Sequence, residues 1–382
     1  MVNMRGFVFS CLLFLSCNLF THPQDDNHPA DVMKLLWEIP YEFIGIGINA
    51  TPLMLGDSLV IMSAGKEIFA VEQTTGKTRW KYKASDSTNI QTDEFKTDGI
   101  RVFATHVEDI RAINITDGSL AWLTPLPQER GGFFNSEIAY DNGKLYAGGY
   151  LKAYCFNASS GSIMWTKQLV PNGQIFDAVA SLERVYFSAG YWNVDSEGHA
   201  VGGGIPIVFC VNPATGDTIW TARLNGNGGP KLLSTLDGNV IYGGTTFESP
   251  SSFDAFDAST GQTKWSYLTA QGWQYDEATI VGDKVIANAG PYSVCAFNKY
   301  TGALLWRKFI RENAESRKIH YYNGYVYHTQ GWRLYVIDPN SGNIVHDMVG
   351  PSGQAIVTIA VGNGRVFVQG HPSLQCYEAY KP

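Results

Sequence analysis

Charged side chains are scarce in this sequence: Asp, Glu, Lys and Arg make up 16% of its 382 residues, against about a quarter in an average soluble domain. Disordered tails, coiled coils and helical bundles are rich in such residues, so none of them describes the whole chain. The 28 basic residues are outnumbered by 35 acidic ones, which gives a net charge of −7. Because a nucleic-acid-binding surface needs a basic excess, we predict no nucleic-acid partner.

Cysteine and catalytic motifs are also sparse. The chain has six cysteines, of which Cys11 and Cys17 lie in the predicted signal segment, and none belongs to a Cys-x-x-Cys or Cys/His pair of the kind that binds zinc. A Gly-x-Ser-x-Gly elbow, a P-loop and a zinc-protease signature are missing as well. We therefore predict a protein that is not an enzyme and holds no metal or cofactor.

The segment from Gly6 to Phe20 is 15 residues long, uncharged and mostly apolar, and it follows a single positive charge at Arg5. A membrane-spanning helix needs about 20 residues, so the run predicts a secretory signal peptide. Residues 14–17 resemble a bacterial lipobox, although Leu15 departs from the small residue expected there. We expect a signal peptide over residues 1–17, lipidation of Cys17 and a flexible tether over residues 18–33, with an ordinary signal peptide as the alternative.

These features predict export to the periplasm or the outer membrane of a bacterium, with the cell surface as an alternative. The only contact with a membrane would then be a lipid on Cys17.

An internal repeat is the strongest pattern in the sequence: an apolar strand, an acidic or amide residue, a turn ending in Gly, and Trp four residues later. The turn glycines are Gly76, Gly118, Gly161, Gly216, Gly261, Gly302 and Gly342. Their spacings are 42, 43, 55, 45, 41 and 40 residues, and the seventh copy has His346 in place of Trp. A period of this size predicts one four-stranded propeller blade per copy.

The two ends of the chain complete each other. The last repeat stops after strand C, around residues 374–379, whereas residues 34–38 resemble a lone strand D with Trp37 in the repeat position. We predict an all-β fold over residues 34–382: a single, monomeric eight-bladed β-propeller of four-stranded antiparallel blades, closed by the N-terminal strand joining the last blade. Seven blades with loose ends is the alternative.

The Trp, the turn Gly and the acidic or amide residue before it resemble the pyrroloquinoline-quinone-type, or tryptophan-docking, propeller repeat over nearly the whole mature chain. The resemblance implies the fold and leaves the function open, because quinoprotein dehydrogenases, the propeller lipoprotein of the outer-membrane β-barrel assembly machine and many binding proteins share the repeat. The dehydrogenases also carry an adjacent cysteine pair, which this chain lacks. A dehydrogenase that depends on pyrroloquinoline quinone and Ca²⁺ is therefore the alternative to a binding protein.

Alignment of the copies places Cys155, Cys210 and Cys376 at one position of strand C that is otherwise Ala, with Cys295 one residue earlier. Equivalent positions of neighbouring blades should lie about 10 Å apart, whereas a disulfide needs Cα atoms within about 7 Å. We predict four reduced core cysteines.

Aromatic residues outside the repeat gather on one face. In an A–B–C–D blade the B–C and D–A connections share one face, here called the loop face, and the A–B and C–D turns share the other, the turn face. Residues 192–206 are predicted as a long B–C loop on the loop face. The predicted contact residues of this face are Trp192, Trp273, Trp332, Phe134, Tyr275, Tyr292 and His199. We expect the face to bind a protein partner, with a glycan as the alternative; loops that simply bury their own aromatics would explain the pattern without binding.

Strand A of each copy contributes one residue to a predicted ring around the mouth of the axial channel. The charged members of this ring are Glu94, Glu137, Asp177, Glu277 and Lys318. Four carboxylates against one Lys predict an acidic funnel that could hold Ca²⁺ or attract a cationic ligand. A solvated channel without a ligand is the alternative.

Overall fold

A computed structural model describes residues 33–41, 50–84, 94–106, 109–126, 137–181, 183–194, 200–247, 249–269, 278–288, 293–310, 316–350, 356–370 and 373–382. These residues lie in the compact unit Val32–Pro382. The predicted signal peptide, Cys17 and almost all of the tether fall outside the described residues. Within the described part of the chain, no helix has the length and apolar character needed to cross a membrane.

The strands form eight four-stranded sheets, each of them one blade. Blades 1 to 4 are β2 (Leu53–Leu55), β3 (Leu59–Ala64), β4 (Glu67–Glu72), β5 (Thr78–Lys83); β6 (Lys96–Thr97), β7 (Arg101–Thr105), β8 (Asp109–Asn114), β9 (Leu120–Pro125); β10 (Ala139–Asp141), β11 (Lys144–Gly148), β12 (Lys152–Asn157), β13 (Ile163–Gln168); and β14 (Gly173–Ser181), β15 (Arg184–Val194), β16 (Ala200–Val211), β17 (Thr218–Arg223).

Blades 5 to 7 follow the same A–B–C–D order, and blade 8 combines both ends of the chain. Their strands are β18 (Gly228–Asp237), β19 (Val240–Phe247), β20 (Ser251–Asp257), β21 (Thr263–Thr269); β22 (Ala278–Val281), β23 (Lys284–Asn288), β24 (Ser293–Asn298), β25 (Leu304–Phe309); β26 (Ser316–Tyr322), β27 (Tyr325–Gln330), β28 (Arg333–Ile337), β29 (Ile344–Val349); and β30 (Ile356–Gly362), β31 (Arg365–Gly370), β32 (Ser373–Glu378) with β1 (Leu35–Pro40).

The N-terminal strand closes the ring, as the sequence predicts. Strand β1 pairs antiparallel with β32, so that Leu35 lies opposite Tyr377 and Pro40 opposite Ser373. Trp37 then donates a hydrogen bond from Nε1 to the carbonyl oxygen of Gln73 in blade 1 (3.0 Å). The eight-bladed arrangement is confirmed, and the seven-bladed alternative is wrong.

Each repeat Trp joins its blade to the next one. The indole covers the turn Gly of the following blade, where an added Cβ would overlap the ring. The seven pairs are Trp37–Gly76, Trp80–Gly118, Trp122–Gly161, Trp165–Gly216, Trp220–Gly261, Trp265–Gly302 and Trp306–Gly342. At Gly161, for example, φ is +73° and a Cβ would lie 2.5 Å from Cε3 of Trp122. The position therefore requires Gly for its conformation and for its space.

The four mature cysteines are buried and unpaired. Cys155, Cys210 and Cys376 lie directly opposite the repeat Trp of the neighbouring strand D, which confirms their common position in strand C. Burial raises the pKa of each of these three thiols to about 12. They are core residues that stay protonated at neutral pH and are poor nucleophiles.

Candidate functional site: the loop face and the inner ring

Trp332 is the predicted contact residue whose surroundings are best defined. It lies in the B–C turn between β27 and β28 and is 50% exposed. The backbone N–H of Gly350 donates to the carbonyl oxygen of Trp332 (2.6 Å), so the turn is tied to the end of strand D. Val349, beside it, is also exposed. A large, half-exposed aromatic side chain thus lies on a turn that is hydrogen-bonded to the end of strand D.

The predicted long loop is wrong at residues 192–194 and 200–206, and residues 195–199 lie outside the described residues. Strands β15 and β16 extend beyond the length of the other B and C strands and pair as a ribbon, with Asn193 opposite Val201 and Val194 opposite Ala200. Trp192 is therefore a strand residue.

The other predicted loop-face residues lie outside the described residues. They are Phe134, His199, Trp273, Tyr275 and Tyr292. Sequence reasoning missed Phe309, the last residue of β25, whose side chain is 63% exposed. Strand D ends on the loop face, so Phe309 belongs to the same side of the disc as Trp332.

The inner ring brings equivalent residues of successive blades side by side. Thr51 and Glu94 form a parallel β-bridge, as do Glu137 and Asp177. Across the closure, the hydroxyl groups of Thr358 and Thr51 are 3.1 Å apart. The alignment of the sequence copies therefore identified true neighbours, and the strands A of these blades approach within hydrogen-bonding distance.

Two carboxylates of the ring share a lysine. The Nζ of Lys231 lies 3.0 Å from Oδ1 of Asp177 and 3.5 Å from Oε1 of Glu137. The Oδ2 of Asp177 accepts hydrogen bonds from Ser188 Oγ (2.6 Å) and from the backbone N–H of Leu232 (2.9 Å). Asp177 and Glu137 are each only 1% exposed. The three charges thus link blades 3, 4 and 5, and removing Lys231 would take away the cation that the two buried carboxylates share.

The prediction of an acidic funnel left out two lysines that lie in this part of the ring. Lys231 immediately precedes the ring position of blade 5, Leu232, and was overlooked because the sequence comparison took one residue per strand. A second cation, Lys96, lies 2.6 Å from Oε2 of Glu94. Glu277 lies outside the described residues, and Lys318 is part of strand β26. Among Glu94, Glu137 and Asp177, every carboxylate has a lysine partner.

Comparison with known protein families matches residues 34–169, 106–197 and 180–327 to the family described as outer membrane protein assembly factor BamB. Together the matched segments cover well over half of the chain. The chain belongs to this family. The resemblance to the pyrroloquinoline-quinone-type propeller repeat is thereby confirmed.

Solved structures agree with this family assignment at the level of the fold. BamB from Moraxella catarrhalis superposes with a TM-score of 0.68 at 16% identity, covering 91% of this chain and 98% of that one. The quinohemoprotein alcohol dehydrogenase from Comamonas testosteroni superposes with a TM-score of 0.70 at 12% identity, covering 92% and 78%. Members of the family and redox enzymes therefore share this architecture.

A curated relative is the tetrathionate hydrolase of Acidithiobacillus ferrooxidans, with 24% identity over 340 residues and 82% of this chain. The match covers 60% of the relative, so this chain spans less than two thirds of that protein's length. At this identity and coverage the relative's activity does not transfer to the chain.

Asp177 does not suit the calcium site that the dehydrogenase alternative implies. Ca²⁺ takes about six to eight oxygen ligands, but the two oxygens of Asp177 already accept hydrogen bonds from Lys231, Ser188 and Leu232. The four cysteines lie on four different blades, so no adjacent pair exists. Among the described residues, no three His, Cys, Asp or Glu side chains are placed to hold a metal ion.

Proposed function

We propose that this protein is an exported, non-catalytic propeller scaffold that binds a protein partner through its loop face. The observation that carries the proposal is Trp332, half exposed on a turn whose backbone is hydrogen-bonded to the end of strand D. Membership of the outer membrane assembly factor family supports a scaffold role. The periplasmic side of the outer membrane is the proposed location, with a lipid on Cys17 as the anchor.

Trp332 suits a protein interface for physical reasons. A Trp side chain has two rotatable bonds and a large apolar surface, so it contributes much contact area at a small loss of conformational entropy. The hydrogen bond from Gly350 to the carbonyl oxygen of Trp332 restrains the turn, and such a restraint reduces that loss further. The turn also carries Arg333, which pairs with Asp347 on strand D and adds a polar rim next to the aromatic centre.

The test compares Trp332→Ala with Tyr300→Ala. Tyr300 is 70% exposed in a C–D turn on the turn face, so it is an exposed aromatic on the opposite side of the disc. The full chain is cross-linked in the cell envelope, purified and its partners quantified by mass spectrometry. We expect Trp332→Ala to reduce recovery of a specific partner by about tenfold or more, as for an interface hot spot, and Tyr300→Ala to leave it unchanged. Equal recovery with both variants would refute binding through the loop face.

The lipid anchor is tested separately. A palmitate analogue supplied to growing cells should label the unaltered protein and should not label Cys17→Ala. Labelling of both variants, or of neither, would rule out Cys17 as the lipid site without affecting the partner experiment.

An enzyme is the second candidate, favoured by the similarity to a tetrathionate hydrolase. The purified full chain is incubated with tetrathionate, and separately with pyrroloquinoline quinone, Ca²⁺ and an alcohol in the presence of a redox dye. Consumption of tetrathionate or reduction of the dye would establish catalysis and overturn the non-catalytic proposal.

A further inference from the structure

The outer strand of each blade, strand D, has a neighbour on one side only in the described sheets. Its free edge presents backbone N–H and C=O groups, and proteins commonly protect such edges with charged side chains. Seven of the eight outer strands follow this rule. Their charged residues are Glu38, Arg79, Lys81, Lys83, Lys167, Arg223, Lys264, Arg307, Lys308 and Asp347.

The exception is β9 of blade 2, Leu120–Pro125, which carries no charged residue. Leu120 and Leu123 are 45% and 41% exposed. Pro125, at the end of the strand, lacks an N–H group and limits the usable edge to the residues before it. Within the described residues, the outer edge of blade 2 is therefore uncharged, apolar and without a neighbouring strand.

The inner side of β9 is firmly held. Trp122 donates from Nε1 to the carbonyl oxygen of Ala158 (3.0 Å), and Thr124 donates from Oγ1 to that of Gly161 (2.7 Å). Both contacts reach blade 3, and β9 pairs with β8 along its length. Because β9 is already ordered, only the added segment loses conformational entropy when it pairs with the free edge.

We propose that the outer edge of β9 is a docking site for an extended, uncharged segment of a protein partner, which adds to blade 2 as a fifth strand. The backbone edge accepts any extended segment through main-chain hydrogen bonds, and Leu120 and Leu123 would contact its alternate side chains. A charged residue opposite these leucines would lose water without gaining a partner, so the segment should lack charges there. The six residues of β9 match a segment about 20 Å long.

A segment of another protein suits this edge better than a second copy of this chain. Two copies each carry a net charge of −7 and repel each other at low ionic strength. The site is on the outer rim, away from Trp332. Failure of this proposal would therefore leave the proposed function untouched, and the reverse is also true.

The probe is a fluorescein-labelled peptide of four Thr-Val repeats with blocked ends, titrated with the purified full chain and followed by fluorescence anisotropy. We expect saturable binding that Leu123→Lys weakens by about tenfold or more, because a charge then protects the edge. Thr221→Lys is the matched control. It places a charge at the same strand position of blade 4, whose strand β17 already carries Arg223, and it should leave binding unchanged.

A second peptide is methylated on every backbone nitrogen, which removes the N–H groups on both of its edges and so any that could face β9. It should bind more weakly than the parent peptide. No binding by the unaltered chain, equal affinity for the Leu123→Lys variant, or equal affinity for the methylated peptide would each overturn the proposal. A dimer in sedimentation equilibrium that Leu123→Lys dissociates would assign the edge to a second copy and overturn it as well. Circular dichroism confirms that both variants are folded.

Discussion

The eight joints between neighbouring blades are of two kinds. Seven of them share one set of contacts, and the joint between blades 7 and 8 is packed differently. At the seven joints, an indole covers a turn Gly and donates a hydrogen bond to a carbonyl oxygen of the next blade. At the joint between blades 7 and 8, His346 replaces the Trp and stacks on Tyr380, with ring centroids 5.8 Å apart. The direction of hydrogen bonding is also reversed: Tyr327 and Tyr322 of blade 7 accept from the backbone N–H groups of Tyr380 (3.0 Å) and Gly364 (2.7 Å).

The reason for the difference lies in the path of the chain. Strand D of blade 8 is the N-terminal strand β1, so blade 8 has no C–D turn and no turn Gly for a Trp to cover. The C-terminal residues after β32 occupy that place, and Tyr380 meets both His346 and Tyr325, the latter at a centroid distance of 4.8 Å. The joint that has no turn Gly therefore also has no Trp to cover it. This is why the seventh copy of the repeat looks degenerate in the sequence.

Of the substitutions that test this comparison, replacing Trp165 with Ala should lower the free energy of unfolding most. Trp165 is buried against Gly216 and hydrogen-bonded to Pro213, and a buried Trp→Ala change costs about 3–5 kcal/mol. The free energy of unfolding, measured by urea denaturation, should fall by this amount. A loss below about 1 kcal/mol, the range of a surface substitution, would show that the indole joints do not carry the stability of the ring.

Replacing a turn Gly that is covered by an indole should lower the free energy of unfolding less. The chain offers a matched control for this substitution. Gly161 and Gly143 have nearly equal φ values, +73° and +76°, but a Cβ would overlap Trp122 at Gly161 and would meet nothing within 4 Å at Gly143. Gly143→Ala should cost about 1–2 kcal/mol from backbone strain alone. Gly161→Ala should cost a further 1–3 kcal/mol or so from overpacking.

The two variants are compared in the same denaturation experiment. Equal losses would mean that the indole moves aside at little cost, and that the turn Gly is needed only for its backbone conformation.

The repeat was predictable because it rests on local rules. A positive φ favours Gly, as at Gly161, and the edge between blades favours a large flat side chain such as Trp122. Both residues therefore recur at a fixed spacing in the sequence. The closure by β1 was predictable for the same reason, since Trp37 matches the repeat Trp although no other strands of a blade precede it.

The candidate sites were less predictable because they depend on contacts between blades. The pairing of Lys231 with Glu137 and Asp177 joins residues about 50 to 100 positions apart. No local sequence pattern indicates which lysine will pair with the carboxylates of the inner ring. The ribbon of β15 and β16 was missed because its glycines suggested a loop, whereas cross-strand pairing overrides that tendency. Trp332 was found by subtraction, as an aromatic residue that the repeat does not explain.

Replacing His346 with Ala should have the smallest effect. The imidazole is smaller than an indole and its place is shared with Tyr325, Tyr327 and Tyr380, which hold the joint through their own contacts. We expect the free energy of unfolding to fall by about 1 kcal/mol, near the centre of the range for single substitutions, and so by a third or less of the loss for Trp165→Ala. Urea denaturation of both variants under one set of conditions measures the ratio. If His346→Ala costs as much as Trp165→Ala, the joint between blades 7 and 8 depends on one side chain as the others do, and the tyrosines do not replace the missing indole.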